Sequence, residues 1–199
     1  MAIACLAAEA DHANDKLARC GYALIDGSAL DLVAAVAAFD ALRAGSQESA
    51  GIAPDHPLVA ALLSQPAVRD LVAEAVGPGA RPLRALALDQ TGHANRFMAW
   101  HQSPGAASDE ALSCGLILRW HLDLIGPADG GLRVLPGSHL AGCLSSEEID
   151  KLAAGTPAVE LAVSAGTVLA LRPLLVQGAR RRTTRGHRRV LQVELAAQP

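Results

Sequence analysis

From Arg81 onward the chain is a series of short apolar segments separated by turn-forming residues, and this spacing restricts the folds open to it. The segments 82–88, 96–101, 115–125, 132–135, 159–163, 167–171, 174–177 and 186–195 each read as strands. The runs 103–113 and 126–131 and the Pro136-Gly137 step read as the loops and turns between them. Many short strands with regular turn signals predict an antiparallel barrel or sandwich. Alternation places the late residues. If Leu191, Val193 and Leu195 pack outward, then Arg188, Val190 and Gln192 point into the barrel. A polar barrel interior is where a ligand pocket is expected.

The first eighty residues have a helical texture. An amphipathic segment over 1–20 is closed by Cys20-Gly21, where glycine suits a helix end. Residues 22–25 form a short strand candidate stopped by Asp26-Gly27. Ser28 is placed to cap a helix over about 29–44, with Asp31 in its first turn, and 45–55 reads as loop. Pro57 and Pro66 each open a further helix, the second ending at Gly77-Pro78-Gly79. Ser145 or Ser146 caps another through Ala154. The chain is therefore expected to be one domain over 1–199, with a mainly helical lead-in at 1–80 and a β core at 81–199.

Aromatics make up 3% of the chain, so the core must be built from Leu, Val and Ala, with Trp100 and Trp120 as the large pieces. A net charge of −3 implies no polyanion partner. Arg172, Arg180, Arg181, Arg182, Arg185, Arg188 and Arg189 concentrate positive charge late. They read either as a solvated loop plus one strand or as a cradle for a carboxylate or phosphate. No aromatic platform accompanies them, so nucleic acid is not expected. Cys5, Cys20, Cys114 and Cys143 lack C-x-x-C spacing, which predicts reduced thiols in a cytoplasmic protein. The apolar start contains Glu9 and no basic residue, so no signal peptide is expected, and no run is long enough to span a membrane.

Five segments occur in a telling order: Trp100-His101-Gln102-Ser103, His121-Leu122-Asp123, 131–139 (ending Pro136-Gly137-Ser138-His139), 172–177 (Arg172-Pro173 to Gln177), and His187-Arg188-Arg189-Val190-Leu191. Together they resemble the phytanoyl-CoA dioxygenase family of iron and 2-oxoglutarate oxygenases, over about 21–199. The resemblance implies a mainly β double-stranded β-helix, or jelly-roll, with N-terminal helices packed on one side. It also implies a two-histidine, one-carboxylate iron triad, which leaves coordination positions open for the oxoacid and oxygen. Carried across, the first histidine is His101, the carboxylate position is Ser103 and the distal histidine position is Gln177. Two of the three ligands are absent. A hydroxyl and an amide do not replace a carboxylate and an imidazole, so no iron and no 2-oxoglutarate are expected as cofactors. Other positions tied to the oxoacid hold Gln90 and Ala179, whereas Arg188 matches the arginine that pairs with its distal carboxylate.

The expected function is then a redox-neutral, metal-independent reaction on a small organic acid or natural-product intermediate: isomerase, cyclase or lyase. His101 is the candidate acid or base, and Arg188 the group that holds or stabilises negative charge. Gln102, Ser103, Trp120, Asp123, Gln177 and Gln192 are candidate ligand contacts. A second reading is a non-catalytic binding or accessory protein, self-associating or paired with an intact homologue. A third keeps iron and 2-oxoglutarate with an unusual ligand set. Within it, His121, Asp123 and His187 form an H-x-D…H alternative. Loss of the carboxylate alone fits a halogenase, but Gln177 argues against that. His139 reads as completing a turn, His12, His56 and His93 as surface residues, and Cys114 as a small core residue.

Overall fold

A computed structural model describes residues 12–27, 31–43, 49–89, 97–103, 115–126, 129–181, 184 and 186–197. The expectations for Ser28, Gln90, His93, Cys5, Cys114, Arg182 and Arg185 lie outside them. The described helices are α1 (Ala13–Cys20), α2 (Leu32–Leu42), α3 (Pro57–Ser64), α4 (Pro66–Ala75) and α5 (Ser146–Gly155). The strands are β1 (Tyr22–Ile25), β2 (Ser49–Ile52), β3 (Arg81–Asp89), β4 (Met98–His101), β5 (Leu116–His121), β6 (Leu132–Val134), β7 (Val159–Leu161), β8 (Val168–Leu171), β9 (Gln177–Ala179) and β10 (Arg189–Ala196).

The strands form two antiparallel sheets, a larger one in the order β1-β8-β5-β10-β3-β2 and a smaller one in the order β4-β9-β6-β7. This is the jelly-roll expected from the resemblance. Side-chain alternation divides the core in two. Leu116, Leu118 and Trp120 of β5 and Leu191, Val193 and Leu195 of β10 pack with Phe39, Leu58, Leu62, Val68 and Leu71 of the helices. The opposite face supplies Ile117, Leu169 and Leu171, which meet Leu132, Val134 and Leu161 of the smaller sheet across the lumen. The strand phase expected for β10 therefore holds.

Local chemistry sets the helix ends. Gly21 adopts φ 83°, and its N–H bonds back to Leu17. Pro57 begins α3, where the His56 ring accepts from the Leu58 N–H. Ser145 and Glu148 form a reciprocal capping box on α5. Asp31 is itself the cap of α2, accepting from the Ala34 N–H at 3.0 Å, so the helix starts later than its apolar run suggests. The expected loop 45–55 contains an edge strand, β2. Its Ser-Ala-Gly-Ile sequence has little strand propensity and is recruited by pairing with β3. The strand expected at 174–177 starts only at Gln177, because Arg172 to Leu175 close a turn.

Cys20, fully buried, is disulfide-bonded, while Cys143 is a free, exposed thiol. The expectation of reduced thiols throughout fails at Cys20, and the thiol argument for a cytoplasmic location fails with it. No helix among the described residues is long and apolar enough to cross a membrane.

Gly27 is required by a close approach of two backbones. A Cβ there falls 2.0 Å from the carbonyl oxygen of Gly166, an atom that cannot rotate away. Gly27→Ala is therefore expected to lower stability by about 3 kcal/mol, at the upper end of overpacking costs, in chemical denaturation. An unchanged unfolding midpoint would show that the two turns separate freely.

Candidate functional site

Inward-facing polar groups come from both sheets. On the smaller sheet, β4 pairs Met98 with Ala179 and His101 with Gln177, and the register shifts between these pairs. The bulge adds a residue to one strand, so Met98 and His101 both face inward although they are three apart. Trp100 is turned to the outer face, where the Arg133 guanidinium lies 4.5 Å from its ring centre. A Cβ on Gly178 would press on the same ring, so glycine gives Trp100 its seat.

His101, Ser103 and Gln177 are brought together. The buried Gln177 lies between β4 and β6, opposite His101 on one side and Val134 on the other. Its Nε2 donates to Ser103 Oγ at 3.1 Å, and the Ser103 backbone N–H is held by the Pro173 carbonyl. His101 Nδ1 is 2.9 Å from the Ala99 carbonyl oxygen. A carbonyl only accepts, so Nδ1 carries a proton and the neutral ring presents Nε2 as its lone-pair nitrogen.

On the larger sheet Arg188 is buried. Its Nη1 donates to the Gly130 carbonyl at 2.8 Å, and its backbone N–H donates to Asp89. Asp89, buried at the end of β3, also holds His187 Nδ1 at 2.8 Å. It thus fixes the start of β10, a role the sequence did not disclose. Arg119 and His121 share the lumen face with Ile117, two residues apart on β5. Both His121 nitrogens and Arg119 Nε are buried without a hydrogen-bond partner. Burial, then the charges of Arg119 and Arg188, push the His121 ring well below its ordinary pKa. Burial, then Arg188, pull Arg119 down to about 10. Sequence reasoning passed over Arg119. The available signal was a cation at an inward position of an otherwise apolar strand.

Several expected contacts lie elsewhere. Trp120 faces the helices, because residues 116, 118 and 120 share the outward phase. Gln102 is spent on backbone: Nε2 donates to the Gly142 and Leu174 carbonyls at 2.8 Å each, and Oε1 accepts from the Leu144 N–H at 2.9 Å. Asp123 accepts from the Arg189 backbone N–H at 2.7 Å and from its guanidinium at 2.9 Å. With His187 held by Asp89, the H-x-D…H set does not converge. Gln192 lies on the lumen phase, where its Nε2 donates to Glu194 at 2.9 Å.

His121 has a consequence for pH. The unfolded ring protonates near 6.5, and the folded ring resists protonation. Below that pH the unfolded state binds more protons, so stability is lost as pH falls from about 6.5. His139, depressed chiefly by burial, acts in the same direction. His121→Gln is expected to flatten the fall in melting temperature between neutral and mildly acidic pH. An identical acid limb in the variant would remove His121 as its source.

Comparison with known proteins bears on the family and the fold. Residues 9–190 match the model of the phytanoyl-CoA dioxygenase family. The chain belongs to that family. No curated protein sequence matches it. Among solved structures, apo EctD from S. alaskensis aligns with a TM-score of 0.81 at 19% identity, covering 92% of this chain and 75% of that one. SnoN, described as a non-heme α-ketoglutarate-dependent epimerase from nogalamycin biosynthesis, aligns at 0.76 and 18%, covering 93% and 81%. HygX from Streptomyces hygroscopicus, with nickel and 2-oxoglutarate bound, aligns at 0.74 and 18%, covering 94% and 86%. At these identities the likeness is one of fold.

Proposed function

We propose that this family member has given up iron and performs redox-neutral proton-transfer chemistry on a small organic anion in the lumen. The observation that carries the reading is the Gln177–Ser103 hydrogen bond beside His101. At the three positions where the family holds iron, the chain offers one imidazole, one amide and one hydroxyl. None is anionic, and the amide and hydroxyl satisfy each other. Ferrous iron bound to such a set lacks the carboxylate that would offset its charge, so the residues do not fit the metal. Without the metal, 2-oxoglutarate has no chelating centre and would be held as an ordinary dicarboxylate.

The chain's own groups suffice for acid–base work. His101 Nε2 takes a proton from a substrate carbon or hydroxyl and returns it, with Nδ1 fixed by Ala99 so that the ring does not turn. Gln177 and Ser103 orient the reacting portion. Arg188, on the facing sheet, supplies a fixed positive charge toward an acidic group. Proton movement of this kind needs no electron acceptor, which suits an isomerase, cyclase or lyase. Binding without turnover is the second reading, favoured by the internal pairing of Gln177 with Ser103. The deciding experiment is anaerobic titration of purified protein with ferrous iron and 2-oxoglutarate, followed by exposure to oxygen. The expected result is no charge-transfer absorption and no oxoacid decarboxylation; either signal overturns the proposal.

A further inference from the structure

We infer that a cavity on the helical side of the larger sheet, over Trp120, binds a small uncharged apolar molecule that carries a carbonyl acceptor, such as a ketone or an ester. This site is separate from the lumen and does not rest on the reading above. Ala34, Ala38 and Ala41 of α2 and Pro57 and Ala61 of α3 line a cavity of about 610 Å³, and Trp120 of β5 lines it from the sheet. The three alanines recur at spacings of four and three, so they share one face of α2 and cover it with methyl groups. Small side chains on both helices leave the gap between them unfilled. Protein interiors are otherwise close-packed, with few voids larger than a water molecule. Atoms that line a dry void lack dispersion partners on one side, and an apolar molecule of fitting size restores them. A volume of this order is that of a small-molecule site.

The polar groups of the lining narrow the ligand class. Trp120 is only 1% exposed, and its indole Nε1 is buried with no hydrogen-bond partner. Buried polar atoms are ordinarily hydrogen-bonded, and those that are not mark a strained or functional position. An indole N–H only donates, so the partner it lacks is an acceptor. His56 also lines the cavity, and its Nδ1 accepts from the Leu58 N–H. The neutral ring therefore carries its proton on Nε2 and is a second donor. Asp31, the acid of the lining, caps α2 through the Ala34 N–H. Its carboxylate disfavours an anion. So does the apolar wall, where an ionised group would lose its hydration and meet no counter-charge, since no Lys or Arg stands among the described lining residues. Two donors and an apolar wall fit an uncharged body with one oxygen acceptor. A partner protein fits less well, because the unpartnered donor belongs to a buried indole and not to the surface.

The test uses the intact chain and three probes of one shape at neutral pH: cyclohexyl methyl ketone, ethylcyclohexane and cyclohexanecarboxylate. Each is titrated by calorimetry and by heteronuclear NMR of the indole N–H groups of Trp100 and Trp120, with Trp120→Phe identifying the Trp120 resonance. Wild type is expected to bind the ketone saturably, with a shift of the Trp120 resonance, and to bind the hydrocarbon and the carboxylate about tenfold or more weakly. Ala38→Leu and Ala61→Leu fill the cavity from one helix and from the other, and each is expected to weaken ketone binding about tenfold or more. Should a filled variant fail to fold, the Trp120 shift in wild type decides by itself. Absence of saturable ketone binding, ketone binding that leaves the Trp120 resonance unmoved, hydrocarbon or carboxylate binding as tight as that of the ketone, or ketone binding unchanged in the filled variants each overturns the inference. Self-association of wild type that Ala38→Leu abolishes, with no ketone binding, would assign this face to a second copy of the chain and overturn it as well. None of these readouts involves iron, the lumen or turnover, so this site can fail while the metal-free reading stands, and the reverse.

Discussion

The double variant Ser103→Asp, Gln177→His is expected to bind ferrous iron far more tightly than the natural chain. The strand register already places position 177 opposite His101, and the Gln177–Ser103 hydrogen bond puts positions 103 and 177 within contact of each other. Replacing the amide by an imidazole and the hydroxyl by a carboxylate supplies the residue types of a two-histidine, one-carboxylate set at neighbouring positions. Each first-row ligand contributes strongly, so restoring two should raise affinity by about two orders of magnitude or more, in line with the tenfold-to-hundredfold effects known even for outer partners. Anaerobic titration with ferrous iron, with and without 2-oxoglutarate, reads the gain directly. Each single variant should remain weak, because neither alone gives three ligands. Equal, tight iron binding by wild type and the double variant would sink the account of Ser103 and Gln177 as lost ligand positions.

That variant also separates what was legible in the sequence from what was not. The strand pattern and the five family segments carried the fold, because inward and outward positions on β10 follow from alternation alone: Leu191, Val193 and Leu195 do pack on the helices. The same rule applied to β5 would have turned Trp120 outward and Arg119 inward. A motif-based reading favoured the large aromatic as a ligand contact and passed over the cation. Asp123 and Gln102 have the composition of site residues, yet long-range partners consume them, Arg189 in one case and three backbone groups in the other. Such partners lie forty or more residues away, and no local pattern reveals them. The bulge that turns His101 inward is likewise a property of pairing with β9, not of the sequence Met98-Ala99-Trp100-His101. Strand β2 was missed for the same reason, since its propensity is poor and its partner decides.

Gln102 supplies the second large effect. As a ligand contact, it would be dispensable to the fold and needed for binding. The hydrogen bonds say otherwise. Its amide joins the end of β4 to the Gly142 carbonyl, the Leu144 N–H ahead of α5, and the Leu174 carbonyl ahead of β9. Gln102→Leu keeps much of the side-chain volume and leaves two backbone acceptors and one donor unpaired in a partly buried place. At about 1–3 kcal/mol for each stranded group, moderated by partial access to water, the expected loss is about 3 kcal/mol. For a chain of this length that corresponds to a fall in melting temperature of roughly 6–12 °C. Gln102→Glu retains the acceptor for Leu144 but sets a carboxylate against two carbonyl oxygens, and should be at least as damaging. The positions of His101 and Ser103 depend on this staple, since both flank Gln102. Loss of ligand binding in Gln102→Leu should therefore come with a lowered melting temperature. Binding lost at an unchanged melting temperature would return Gln102 to the pocket as a direct contact.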